Sequence, residues 1–123
     1  MATQDITSAQ FNEVISNNDI VIIDFWAEWC GPCKSFAPTY EKVSEKHEDI
    51  VFAKVNTELE QELAAHFKIR SIPTLMVFRE EVVLFAQPGM LSEAQLEGVI
   101  SKIKMLDMAK VHEEVAQQEQ QQS

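Results

Sequence analysis

Apolar residues recur at three- and four-residue intervals in three stretches: Phe11, Val14 and Ile15; Leu63, Ala64 and Phe67; and Leu96, Val99, Ile100, Ile103 and Leu106. That spacing gathers side chains on one face of a helix. Each stretch follows a Ser or Thr with a Gln or Glu three residues on, at Thr7/Gln10, Thr57/Glu60 and Ser92/Gln95. In that pattern the hydroxyl and the N3 side chain satisfy orphan N–H groups at a helix start. A fourth helix is expected to begin at Cys30-Gly31-Pro32-Cys33 and run through Tyr40 and Val43 toward His47. Pro32 suits its first turn, whereas Pro38 falls inside it and is expected to kink it.

Ile20–Ala27 and Ile50–Asn56 are short, rich in β-branched residues and almost continuously apolar, as strands buried on both faces are. Thr74–Phe78 and Val82–Ala86 read as a hairpin, although Arg79-Glu80-Glu81 between them lacks the glycine that favours a tight turn. Thr3–Ile6 adds a short first strand. The order β-α-β-α-β-α-β-β-α describes parallel crossover units followed by an antiparallel pair, hence an α/β fold with a mixed sheet covered on both faces. Met108, Val111 and Val115 prolong the last helical spacing, so residues 1–108 are expected to form the domain. Residues 109–123 are then a helical extension that continues the last helix and ends in a frayed, Gln-rich tail.

The 123 residues fit one domain able to bury its own core. A formal charge of −10 repels nucleic-acid backbones and anionic lipid surfaces, so neither is expected as a partner. The run Ile20–Trp26 is too short to cross a membrane and contains Asp24. Met1 to Phe11 lacks the charged and apolar regions of a secretory signal, and a cytoplasmic location is the expectation.

In such a location, two cysteines point to catalysis or metal rather than to a structural cross-link. There is no second CxxC pair, and His47, His66 and His112 are too scattered for a zinc finger. Residue 34 is Lys, which removes the C-x-x-C-H haem signature. A disulfide closing so short a loop would stabilise the fold by roughly 2 kcal/mol, against about 4.7 for a 100-residue loop, which makes it a weak staple. A redox dithiol fits better. Cys30 at a helix start faces unpaired N–H groups and the positive end of the helix dipole, which favour thiolate over thiol. Cys33, one turn inside, lies within disulfide reach.

Trp26-Ala27-Glu28-Trp29-Cys30-Gly31-Pro32-Cys33-Lys34 closely resembles the active-site segment of the thioredoxin family. Asp24, Lys54, Ile72-Pro73-Thr74 and Gly89 match further family positions in the family's order, and the resemblance spans about Ile6 to Leu106. It implies the thioredoxin fold, a central mixed sheet flanked by four helices. It also implies electron transport to protein disulfides through Cys30 and Cys33, with no metal or organic cofactor, thioredoxin reductase as electron donor, disulfide-containing proteins as clients, and a monomeric state. Asp24 would be a buried proton acceptor tuned by Lys54. Trp29, Gly31, Pro32, Ile72, Pro73 and Gly89 would form the substrate surface, with Pro73 cis and the Ile72 backbone free to pair with an extended client. Gly-Pro between the cysteines resembles the reducing members rather than the oxidases or isomerases. The rival from another class is a binding module or holdase in which the cysteine pair is incidental.

Overall fold

The computed structural model describes residues 2–122. In chain order they form β1 (Thr3–Asp5), α1 (Ser8–Asn17), β2 (Ile20–Trp26), α2 (Gly31–Glu45), β3 (Val51–Asn56) and α3 (Gln61–His66). There follow β4 (Thr74–Arg79), β5 (Val82–Pro88), α4 (Glu93–Met105) and α5 (Met108–Gln122). The five strands make one sheet in the order β1-β3-β2-β4-β5. The β1, β3 and β2 strands run parallel, while β4 and β5 add antiparallel pairings, so the expected mixed sheet is present.

The unbroken apolar run of β2 reflects its place at the sheet centre. Ile20 and Ile22 pack with Phe36, Tyr40 and Val43 of α2 and with Leu96, Ile100 and Ile103 of α4. Val21, Ile23 and Phe25 face the other way, with Phe11 of α1 and Leu63 of α3. The period-two alternation of a strand therefore feeds two cores. Asp24 shares parity with Ile20 and Ile22 and so lies on the α2/α4 side, as does Lys54, its register partner on β3. Tyr40 ties that side together, donating its hydroxyl to the Ile22 carbonyl at 3.0 Å and the Ala53 carbonyl at 2.8 Å.

Two of the three expected caps form. Gln10 Oε1 accepts the Thr7 N–H at 3.0 Å, and Ser92 and Gln95 exchange bonds of 2.9 and 3.1 Å. Thr57/Glu60 does not cap α3, which starts at Gln61. Thr57 instead donates its N–H to the Trp26 carbonyl at 2.9 Å, and Glu60 caps a different helix, accepting the Ser8 N–H of α1 at 2.8 Å. Asn56 organises the intervening turn through its side-chain oxygen, bonded to the Glu58 and Leu59 N–H groups.

The hairpin turn is shorter than the sequence suggests. Arg79 belongs to β4, leaving Glu80 and Glu81 as a two-residue connection with φ of 50° and 68°. Those positive values are what a tight twisted turn requires, here met without glycine. The Glu80 N–H donates to the Asp19 carbonyl at 2.9 Å, which helps fix the unfavourable backbone.

The last expectation to be corrected is the continuous C-terminal helix. The chain turns extended at Leu106, with φ −66° and ψ 140°, and restarts at Met108. Asp107 explains the restart, since its carboxylate accepts the Lys110 N–H at 3.3 Å in the manner of an N-cap. Arg79 reaches across from β4 and donates to the Ile103 carbonyl at 2.8 Å, satisfying the abandoned end of α4. Leu106, assigned by periodicity to the core, is therefore exposed, and the next residue of the stripe to be buried is Met108. The Gln-rich stretch is helical as far as Gln122, in keeping with the helix propensity of Glu and Gln.

Candidate active site

The cysteine pair stands where the parallel strands end, a place at which loops and a helix N-terminus meet in α/β sheets. After β2 the chain turns through Ala27–Trp29 and enters α2 with Cys30 as N-cap, Gly31 and Pro32 in the first turn and Cys33 behind them. Cys30 and Cys33 are joined as a disulfide with Cα atoms 5.3 Å apart. Cys30 Sγ accepts the backbone N–H of Cys33 at 3.2 Å. The sulfur thus occupies the position a capping oxygen usually fills, where donor groups and the helix dipole favour negative charge.

Both cysteines are almost fully covered, each 3% exposed, so burial does not tell them apart; the N-cap bond does. The segment facing them is Ser71–Thr74, with a cis Ile72–Pro73 bond, as the family resemblance implies. The Ile72 carbonyl oxygen lies 3.7 Å from Cys30 Sγ. Gly89 adopts φ +97° and donates its N–H to the Pro73 carbonyl at 2.8 Å, bringing the loop after β5 to the same rim. A Cβ at Gly89 would meet nothing within 4 Å, so the requirement there is conformational rather than spatial. Trp29, 68% exposed, borders a hollow together with Ser71 and Ile72.

Asp24, near the end of β2, is 1% exposed, with neither carboxyl oxygen hydrogen-bonded among the described residues. Burial raises its pKa from 3.8 to about 7, and the Lys54 ammonium opposes that rise. The Lys54 ammonium also sits 4.6 Å from the centre of the Trp26 ring, so Asp24, Trp26 and Lys54 form one group on the α2 side of the sheet. Trp26 is half-buried rather than a core residue, and its indole N–H has no partner among the described residues. No cluster of side chains able to hold a metal ion occurs among the described residues.

The thioredoxin family model matches residues 2–102. This chain belongs to the thioredoxin family. It is 52% identical to a putative thioredoxin 2 of Streptomyces coelicolor over 120 residues, covering 98% of this chain and 90% of the relative. A thioredoxin of Porphyra purpurea is 38% identical, with coverage of 83% and 97%. Among solved structures, a mutant thioredoxin of Halobacterium salinarum superposes with a TM-score of 0.79 at 30% identity, covering 85% of this chain and 92% of that one. The thioredoxin of Plasmodium falciparum does so at 0.75 and 37%, with coverage of 80% and 97%. As a thioredoxin the chain is an oxidoreductase acting on protein disulfides by dithiol exchange, with Cys30 and Cys33 as its redox pair.

Two side chains at this thioredoxin site escape sequence reading. Glu58 accepts the Trp29 indole N–H and so holds the exposed ring, across 29 residues of chain, with no spacing that announces it. Arg70 lines a hollow between Trp29 and Ile72 and looks in the sequence like any surface charge.

Proposed function

We propose that this thioredoxin works as a general, cytoplasmic, monomeric protein-disulfide reductase that is re-reduced by a thioredoxin reductase. The observation that carries the proposal is the placing of Cys30 Sγ, bonded to the Cys33 N–H at the start of α2 and 3.7 Å from the Ile72 carbonyl. In the reduced protein the Cys30 thiolate attacks a client disulfide, and one client sulfur leaves as thiolate. Cys33 passes its proton to Asp24 and attacks Cys30, the second client sulfur leaves, and the Cys30–Cys33 disulfide remains. Two electrons have then passed to the client, and two from NADPH, delivered by the reductase, restore the dithiol. The Lys54 ammonium limits how far burial raises the Asp24 pKa.

Trp29, Gly31, Pro32, Ile72, Pro73 and Gly89 bind the client. The Ile72 backbone, outside the ladder that begins at Thr74, pairs with an extended chain, which gives affinity with little side-chain selection. No helix among the described residues is long and apolar enough to cross a membrane.

Residues 1–108 are the working domain and 109–123 an accessory extension. One polar link from α5 back to the domain is His112 to Glu80 at 2.8 Å, and both side chains are near half exposed. Such a pair contributes about 1 kcal/mol at most.

One assay tests both statements: NADPH oxidation with a thioredoxin reductase and a disulfide-bonded client, run on the full chain and on a chain ending at Met108. Both should turn over, at rates within about twofold of each other. No NADPH oxidation by the full chain would favour the binding module. A large loss on truncation would move α5 into the working site.

A further inference from the structure

We propose that Arg70 is a specificity-determining residue that draws in clients with a carboxylate within two residues of the attacked cysteine. The proposal rests on the reductase reading above and concerns which disulfides that reaction prefers.

Arg70 stands two residues before Ile72, on the loop between α3 and β4. The loop is pinned at its start by a helix-ending motif: Lys68 at φ 55° donates its N–H to the Ala65 carbonyl at 3.0 Å, and Ile69 donates to the Ala64 carbonyl at 3.0 Å. A fixed loop of this kind holds the Arg70 backbone in place beside the site. The side chain borders two hollows. One, of about 270 Å³, is lined by Trp29, Thr57 and Ile69–Ile72. The other, of about 250 Å³, runs from the same loop toward Thr74 and Pro88. The first borders Ile72, along whose backbone a client chain would lie, and the second borders Ser71 and Thr74 on either side of Ile72–Pro73, so a charge at Arg70 stands next to the path of a client chain.

Charge makes this position unusual. The chain carries 20 acidic and 10 basic residues, and its overall field disfavours acidic clients. Arg70 is exposed and has no hydrogen bond or ion pair among the described residues; Lys34, Lys68, Lys102 and Lys110 likewise have no ion pair there, but Arg70 is the basic residue that lines the hollow shared by Trp29 and Ile72. Glu58 accepts the Trp29 indole N–H and forms no ion pair with Arg70 among the described residues. Lys68 on the same loop is likewise exposed and without an ion pair, and it adds to the local positive potential. A guanidinium left unpaired beside the reacting disulfide of an acidic protein is arranged to meet a carboxylate, which it binds by a planar two-point contact.

The test uses the full chain, pre-reduced, with matched disulfide peptides that carry Glu or Gln two residues before or two residues after the cysteine. The readout is the ratio of the second-order rate constant for reduction of the Glu peptide to that for the Gln peptide, in which uniform damage to the enzyme cancels. An exposed charge pair implies a ratio of about two- to fivefold in at least one peptide position, falling toward one at high salt. Arg70→Lys should keep most of the preference and Arg70→Glu should carry the ratio below one. Lys110→Glu, an equal charge change on α5 near the far end of β4, should leave it where it was. A ratio unchanged by Arg70→Glu, or moved as much by Lys110→Glu, overturns the proposal. Failure to reduce either peptide at all overturns the reductase reading on which it stands.

Discussion

A chain carrying Cys30→Ser reduces no disulfide and captures no client, whereas one carrying Cys33→Ser accumulates clients as stable mixed disulfides. The asymmetry follows from the helix start. Cys30 Sγ takes an N–H bond from Cys33 at 3.2 Å and lies at the positive end of α2, so it is the sulfur whose thiolate is favoured. A serine hydroxyl there is almost wholly protonated near neutral pH and does not replace it. In the Cys33→Ser protein the first step is intact, but the internal attacker is gone. Well-oriented intramolecular groups reach effective molarities on the order of 10⁵ M, so release of the mixed disulfide should slow roughly a thousandfold or more. Non-reducing electrophoresis and intact mass measurement of each variant after mixing with an oxidised client provide the check. Equal trapping by the two variants would contradict the assignment.

Replacing Asp24 with Asn slows reduction around neutral pH by roughly ten- to a hundredfold, at or below the low end of what a positioned base contributes, and makes the protein more stable. Both effects come from one carboxyl that is 1% exposed, without hydrogen-bond partners among the described residues and with a pKa raised by burial to about 7. As a base it acts only when ionised, so the wild-type rate rises with pH through about 7, and the Asn variant lacks that step.

Stability moves the opposite way. The folded-state pKa is above the ordinary 3.8, so between about pH 4 and 7 the folded form keeps a proton that the unfolded form has lost. Stability therefore falls as pH rises through that window, by on the order of 4 kcal/mol once pH exceeds 7. The Asn variant should show a flatter dependence and the higher melting temperature at pH 8. Denaturant titrations from pH 4 to 8 beside rate profiles from pH 6 to 8 separate the two roles. An unchanged rate would leave Asp24 a packing residue only.

The sheet's strands and the redox pair were legible because each rests on local physics. The apolar run of β2 and the Cys30-Gly31-Pro32-Cys33 start of α2 carry their meaning within a few residues. What failed depended on residues far apart or on competition between equivalent signals. Periodicity ran across the end of α4 without seeing that Asp107 could start a new helix and that Arg79, on another element, could satisfy the old one. The Thr57/Glu60 pattern has the right spacing, but Glu60 finds the start of α1 and Asn56 takes the turn. The cis bond at Pro73 came only from resemblance, since cis is rare at any X-Pro. The Glu58–Trp29 contact leaves no local trace at all.

The reduction potential of the Cys30–Cys33 pair, measured by equilibration with glutathione or a reference dithiol, tests the central claim most directly. A disulfide reductase poises its dithiol to give electrons away, and the value should lie near about −270 mV. A value near about −120 mV would mark a pair that takes electrons from its clients, and would contradict the account.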